Sequence, residues 1–270
     1  MGKTYKLAQY EDYLKSDLGK LLLVRKLEEE KLYVEGKLIN NYLLKLLAKD
    51  DDFEVKRRIA SSKVATDDIL WRYSKDKDWS VRACVAKNLN TSISVLMNLA
   101  KDEDYSVREA VAKNPNSTKD VLKYLYEDDF WYVKMAVALN SNVTNNMLRH
   151  LAKDLDWNVR VAVIDSPKVT LSILKYLMVD IEPKVKAKVA EHHLTTRDMR
   201  DILMTDENYI VKCGVAKSKK ATIKQLIELS KDDFWLVRRY VVENEKCPNS
   251  VLNKLIKDPN IKVRTAVRIK

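Results

Sequence analysis

Residues 76–100 read DKDWSVRACVAKNLNTSISVLMNLA, and residues 102–126 read DEDYSVREAVAKNPNSTKDVLKYLY. The two strings superpose at an offset of 26, and the offset continues in both directions along the chain. Valine returns at Val55, Val81, Val107, Val133, Val159, Val185, Val211, Val237 and Val263. The following position is basic in every copy: Lys56, Arg82, Arg108, Lys134, Arg160, Lys186, Lys212, Arg238 and Arg264. Five positions before each valine stands an aspartate: Asp50, Asp76, Asp102, Asp128, Asp154, Asp180, Asp206, Asp232 and Asp258. A fixed period of this length is the signature of a repeat architecture.

Within the unit, Ile59, Val85, Val111, Val137, Val163, Val189, Val215, Val241 and Val267 stand four residues after the valine, usually with alanine next. That spacing is the apolar stripe of a short helix. Leucines three apart, Leu96 and Leu99, Leu122 and Leu125, Leu148 and Leu151, mark a second helix. Thr66, Ser92, Thr118, Thr144, Thr170 and Thr222 precede it, where a side-chain oxygen can cap the first turn. Asn88, Asn114, Asn140 and Asn244, with Pro115 or Pro167, punctuate the turn between the two helices. Helices of about three turns are marginal alone in water, so each repeat must bury its stripe against its neighbours. The sequence therefore predicts an all-α fold: an α-solenoid of nine helix-turn-helix repeats over residues 40–270, forming a single elongated domain. Residues 1–39 break the period and read as an N-terminal helical cap, with helices over Tyr5–Leu18 and Leu21–Val34. At the other end, KVRTAVRIK stops inside a stripe-bearing helix without a polar closing helix, an edge suited to a partner or to self-association through that repeat.

Composition excludes several classes. The four glycines, Gly2, Gly19, Gly36 and Gly214, cannot form a GxGxxG fingerprint or a P-loop. Four glycines and five prolines in 270 residues supply too few turn residues for a sheet protein. Cys84, Cys213 and Cys247 are far apart and lack a CxxC pattern, so neither a disulfide framework nor a metal or iron–sulfur site is expected, and a reducing, cytoplasmic setting is the simplest. The chain shows no secretory h-region and no run of eighteen apolar residues, so no membrane association is expected. No nucleophile, base and orienting group can be assembled, no cofactor is indicated, and the sequence reads as non-enzymatic.

The quoted strings resemble the leucine-rich repeat variant family, a HEAT-like class whose unit reads Asp-x-Asp, two residues, Val-Arg, Val-Ala, Asn-Pro and two spaced leucines. The likeness spans about residues 41 to 270. It implies a right-handed superhelix of short helices, some of them 3₁₀. Some members carry a cysteine-ligated iron–sulfur cluster ahead of the repeats; no cysteine precedes Cys84 here, so that cofactor is not expected.

Three columns are candidates for function. The aspartates and bases read first as a structural ladder, Asp76 and Arg82, Asp102 and Arg108, Asp154 and Arg160, Asp232 and Arg238, each acid pairing with its own or the next repeat's base. The rival reading of the basic column is a track for a phosphate backbone. Two positions before the valine stands a mostly aromatic column: Phe53, Trp79, Tyr105, Trp131, Trp157, Tyr209 and Trp235, broken by Pro183 and Ile261. These rings either seal the groove between repeats or present a partner surface for stacking or protein contact. Formal net charge is +11, and residues 1–36 are balanced, so the surplus belongs to the repeats. Arg57, Arg58, Lys87, Lys113, Lys188, Lys217 and Arg239 lie off the ladder and form either a solvated face or a basic ligand surface. The sixth copy departs most, with Pro183, His192, His193 and an arginine, Arg200, at a leucine position, which marks either a site or drift. The leading expectation is a scaffold binding a protein partner on an extended curved surface. The alternative is sequence-independent nucleic-acid binding through the repeat lysines and arginines, and a minor alternative is a HEAT-like DNA glycosylase, whose ingredients are similar.

Overall fold

The computed structural model describes residues 10–34, 37, 38 and 40–270. Apart from one two-residue strand pair, its regular elements are helices, and they follow the period. The first helix of each repeat begins at the aromatic column: Phe53–Ala60, Trp79–Lys87, Tyr105–Lys113, Trp131–Leu139, Trp157–Ile164, Pro183–Glu191, Tyr209–Lys217, Trp235–Glu243 and Ile261–Ile269. Second helices, such as Ile93–Leu99, Leu171–Leu177 and Ile223–Leu229, run about two turns. Chain contacts divide the chain into two units, 1–143 and 144–270, each compact by itself.

The core is the stripe read from the sequence. All nine valines of the column are 0 % exposed. The positions four residues later are equally buried from Ile59 to Val241. Each buried valine contributes about 2 kcal/mol of apolar transfer free energy. In each unit, the first helices of neighbouring repeats form the closely packed layer, because the facing positions are small: Ala83, Ala110 and Ala136 in one unit, Ala162, Ala187 and Gly214 in the other.

Short helices depend on their ends. The second acid of each Asp-x-Asp pair is the N-cap of the first helix: Asp78 accepts from the Ser80 amide at 2.8 Å and Asp104 from Ser106 at 2.7 Å. Of the Ser and Thr residues expected to cap second helices, Thr118, Thr144 and Thr222 accept the amide bond, and Thr222 with Gln225 completes a capping box. Thr66, Ser92 and Thr170 do not make that bond. The turn asparagines do more than stop a helix. Asn114 donates from its Nδ2 to the carbonyls of Ala86 and Asn88 in the previous repeat, at 2.7 and 3.1 Å, while its Oδ1 accepts from the Asn116 amide. Asn88, Asn140 and Asn244 repeat the arrangement, forming a second ladder between repeats.

The N-terminal segment differs from expectation. Helices cover Glu11–Leu14 and Asp17–Glu29, followed by an antiparallel pair, Tyr33–Val34 with Lys37–Leu38. The helix expected over Leu21–Val34 thus starts earlier and stops at Glu29, where the Asn40 amide takes the carbonyls of Leu27 and Glu30. Of the helix expected over Tyr5–Leu18, residues 5–9 lie outside the described residues.

Candidate functional site

The candidate site grows from the loop that joins one repeat to the next. Arg82 sits on the first helix of its repeat, 8 % exposed. Its Nη1 donates to the carbonyls of Asp76 and Lys77 in its own loop, at 2.9 and 3.2 Å. Its Nε and Nη2 form a fork on the carboxylate of Asp102 in the next repeat, at 2.7 and 2.8 Å. Asp102 in turn accepts from the Asp104 amide. Arg108 with Asp128, Arg160 with Asp180 and Arg238 with Asp258 reproduce the joint. Each acid thus pairs with the base of the preceding repeat, not with its own or the next repeat's as the spacing suggested, because the arginine reaches forward across the joint while its own-repeat aspartate offers it a backbone carbonyl. Where lysine stands in the column, Lys56 and Lys212 reach Asp76 and Asp232 as point charges.

The electrostatics follow. Hydrogen bonding to Asp102 raises the Arg82 pKa. At Asp258 burial pushes the carboxyl pKa up, but Arg238 and the Asn260 amide outweigh it and leave the group below its ordinary value. The paired arginines of this column are spent on the joints between repeats.

The aromatic column occupies the first residue of each first helix, directly after the N-cap. Phe53, Trp79, Tyr105 and Tyr209 are exposed, while Trp131, Trp157 and Trp235 are half-buried. Neighbouring positions extend the column in ways the period does not show. Phe130 and Phe234 replace the N-cap acid, and their rings lie on Tyr105 and Tyr209 at centroid distances of 4.7 and 3.9 Å. Tyr132 stacks on Trp131 at 3.7 Å. Lys184 lies over Trp157 at 4.4 Å and Lys262 over Trp235 at 4.7 Å. In each unit the loop edge thus carries rings that partly cover each other and partly face solvent.

The seven off-ladder bases are mostly engaged. Arg57 pairs with Glu54, Arg58 with Glu28, Lys113 with Glu109, Lys188 with Asp165, Lys217 with Glu191 and Arg239 with Glu243. Among the described residues Lys87 alone of the seven has no carboxylate partner. Sequence reading missed these acids because three of the six stand on the same helix as their base, three stand on a neighbouring helix or its cap, and none belongs to the repeated consensus.

The sixth copy is accommodated structurally. Pro183 takes the first helical position, where its missing N–H costs nothing, behind the N-cap Glu182. His192 replaces the turn asparagine and accepts the Leu194 amide on Nδ1 at 3.2 Å. Burial, then the neighbouring His193, hold its pKa below the usual value. Arg200 is 4 % exposed, donates to the Thr195 carbonyl at 2.5 Å, and leaves its Nε without a partner.

No family model matches the chain, and no curated protein matches it. Among solved structures, one described as a leucine-rich repeat variant with a novel repetitive protein structural motif is similar to it, at 24 % identity, covering 82 % of this chain and 87 % of that chain with a TM-score of 0.61. A second, the X-ray structure of YibA from E. coli, aligns over 99 % of this chain and 97 % of that chain at 18 % identity and a TM-score of 0.36, too low to carry an argument. The fold of this chain is that of the leucine-rich repeat variant.

Proposed function

We propose that the protein is a non-enzymatic repeat scaffold that binds a protein partner along the loop edge of its repeats. The observation that carries this reading is the contrast between its charges and its rings. Arg82, Arg108, Arg160 and Arg238 are committed to joints between repeats, and six of the seven off-ladder bases already face carboxylates. A cation that already faces a carboxylate offers little to a phosphate, and a nucleic-acid track needs many free ones. Exposed Phe53, Trp79, Tyr105 and Tyr209, by contrast, are the residue types that anchor protein interfaces. Catalysis finds little support. Burial pushes the Cys213 thiol up to about 11, far from a nucleophile at neutral pH, and among the described residues no carboxylate is bonded to His192 or His193. The three free thiols suit a reducing, cytoplasmic setting. No helix among the described residues is long and apolar enough to cross a membrane.

The test is a fluorescence titration against labelled random duplex and single-stranded DNA and RNA at about 50 and about 200 mM salt. The expected result is no binding in the micromolar range at either salt. Micromolar or tighter binding that weakens steeply with salt would replace this reading with the nucleic-acid one.

A further inference from the structure

Two neighbouring loops of the 144–270 unit break the polarity of their position. The residue after the ladder aspartate is Asp51, Lys77, Glu103, Asp129, Glu207 and Asp233 in six copies, all charged and exposed, and Pro259 in the last. In the fifth and sixth copies it is Leu155 and Ile181, 100 % and 94 % exposed. Just before the ladder aspartate, where Lys101 and Lys231 stand elsewhere, Val179 is 74 % exposed. An aliphatic side chain left wholly in water gains nothing in the folded monomer, and three at one place form an apolar patch of the kind that marks an interaction site.

The patch is concave. Leu155, Val179, Ile181 and Tyr176 border a groove of about 330 Å³, floored by the Arg160–Asp180 joint. A second groove of about 340 Å³ shares Ala152, Lys153 and Tyr176 with it and is closed by Arg149 and Ile173. Each is large enough for one or two side chains of an extended segment. The cations of this rim are free. Arg149 and Lys153 are exposed and, among the described residues, have no carboxylate partner, unlike the paired bases described above. The surrounding unit is positive as a whole: residues 144–270 hold 25 basic and 16 acidic side chains, a net +9, whereas residues 1–143 hold 25 and 23.

We infer that this double groove binds a segment of another protein in which aliphatic or aromatic anchors are flanked by aspartate or glutamate. The anchors enter between Leu155 and Ile181 and beside Tyr176, and the carboxylates meet Arg149 and Lys153. Apolar burial supplies the affinity and the free cations select the sign of the flanking charge. The inference rests on the protein-scaffold reading and gives its partner a chemistry.

The experiment is selection from a random linear peptide library displayed on phage, with the full-length wild-type chain as bait, followed by fluorescence anisotropy with the most enriched peptide. Three double variants are compared: Leu155→Glu with Ile181→Glu, Arg149→Glu with Lys153→Glu, and, on the other unit, Lys63→Ala with Lys123→Ala, two exposed lysines outside the aromatic column and the groove. Leu155, Ile181, Arg149 and Lys153 are surface side chains outside the core, and circular dichroism confirms that each variant folds. The expected peptides carry apolar anchors among acids. Each groove variant should weaken them at least about tenfold, and the Lys63, Lys123 variant should leave them unchanged. Peptides insensitive to both groove variants, or basic in composition, would overturn the groove while protein binding stands. No enrichment at all would overturn it too, and salt-steep DNA or RNA binding alongside would remove the underlying reading. A wild-type dimer in sedimentation that Leu155→Glu with Ile181→Glu makes monomeric would assign the patch to a second copy and overturn the acidic peptide.

Discussion

Asp258 shows how one residue of the ladder couples stability to pH. Its carboxylate is 5 % exposed, forked by Arg238 at 2.7 and 2.9 Å, and held below its ordinary pKa. An acid whose native pKa is lowered binds its proton more readily in the unfolded chain, so it contributes stability above about pH 4, its unfolded value, and loses that contribution as pH falls through the lower native value. Asp258→Asn should therefore lower the melting temperature near neutral pH, and the difference from wild type should shrink as pH is taken from about 5 toward about 2. A difference independent of pH in scanning calorimetry would show that the pair acts through shape and not charge. Arg200 is the opposite case. It replaces a leucine in a buried column, keeps one bond to Thr195, and leaves Nε unpaired, and burial lowers its pKa. A buried donor without a partner costs about 1–3 kcal/mol, so Arg200→Leu should raise the urea midpoint by an amount of that order. A lowered midpoint would mean that the guanidinium holds the sixth repeat together in a way its bonds do not reveal.

At the scale of the element, the closest approach in the 144–270 unit is between Pro183–Glu191 and Tyr209–Lys217. Gly214 makes it possible: a Cβ there would stand 2.4 Å from the Ala187 carbonyl oxygen and 2.8 Å from its Cα, both backbone atoms that cannot swing aside. Glycine in mid-helix is otherwise unfavourable by about 1 kcal/mol relative to alanine. Gly214→Ala should nonetheless destabilise, by about 1–3 kcal/mol, because overpacking here exceeds the propensity gain. Its signature is faster amide exchange in both helices; a stabilised variant would mean that they separate at no cost. The glycine was visible in the sequence as one of four, but its role was not, since only the stacking of repeats brings Ala187 to it. The same limit explains what else remained hidden. Val81 and its column, Asp76 and Arg82, and the helix pair were legible because they recur at one period. The Asn114 donation to Ala86 and Asn88 is as regular, yet it looked like turn chemistry because its partners are backbone carbonyls of another repeat. Lys188 with Asp165 and Lys217 with Glu191 occur once each, so no column announced them. The strand pair at Tyr33–Val34 lies in the stretch without a period, where LEEEKLYV reads as helix from propensity alone.

For the molecule as a whole, the joints define what one lesion can reach. Each arginine fork and each turn asparagine ties a repeat to the one beside it, so stability is a sum of repeat terms and nearest-neighbour terms, and disturbance spreads by passing from joint to joint. Net charge is spread unevenly on this frame, with +9 of the +11 on residues 144–270, so the unit that carries the apolar groove is also the one that draws acidic segments toward it. Val211 allows the frame to be tested. It is 0 % exposed at the centre of the seventh repeat, and Val211→Ala removes buried methyl groups worth about 1–2 kcal/mol. If coupling is local, native-state hydrogen exchange should quicken in Pro183–Glu191, Tyr209–Lys217 and Trp235–Glu243, while Trp79–Lys87 and Tyr105–Lys113 keep their wild-type protection. Equal loss of protection in all five helices would mean that the chain opens as a single cooperative body. Confined loss would mean that the groove at Leu155 and Ile181 can be altered, or occupied, without disturbing the exposed rings at Trp79 and Tyr105.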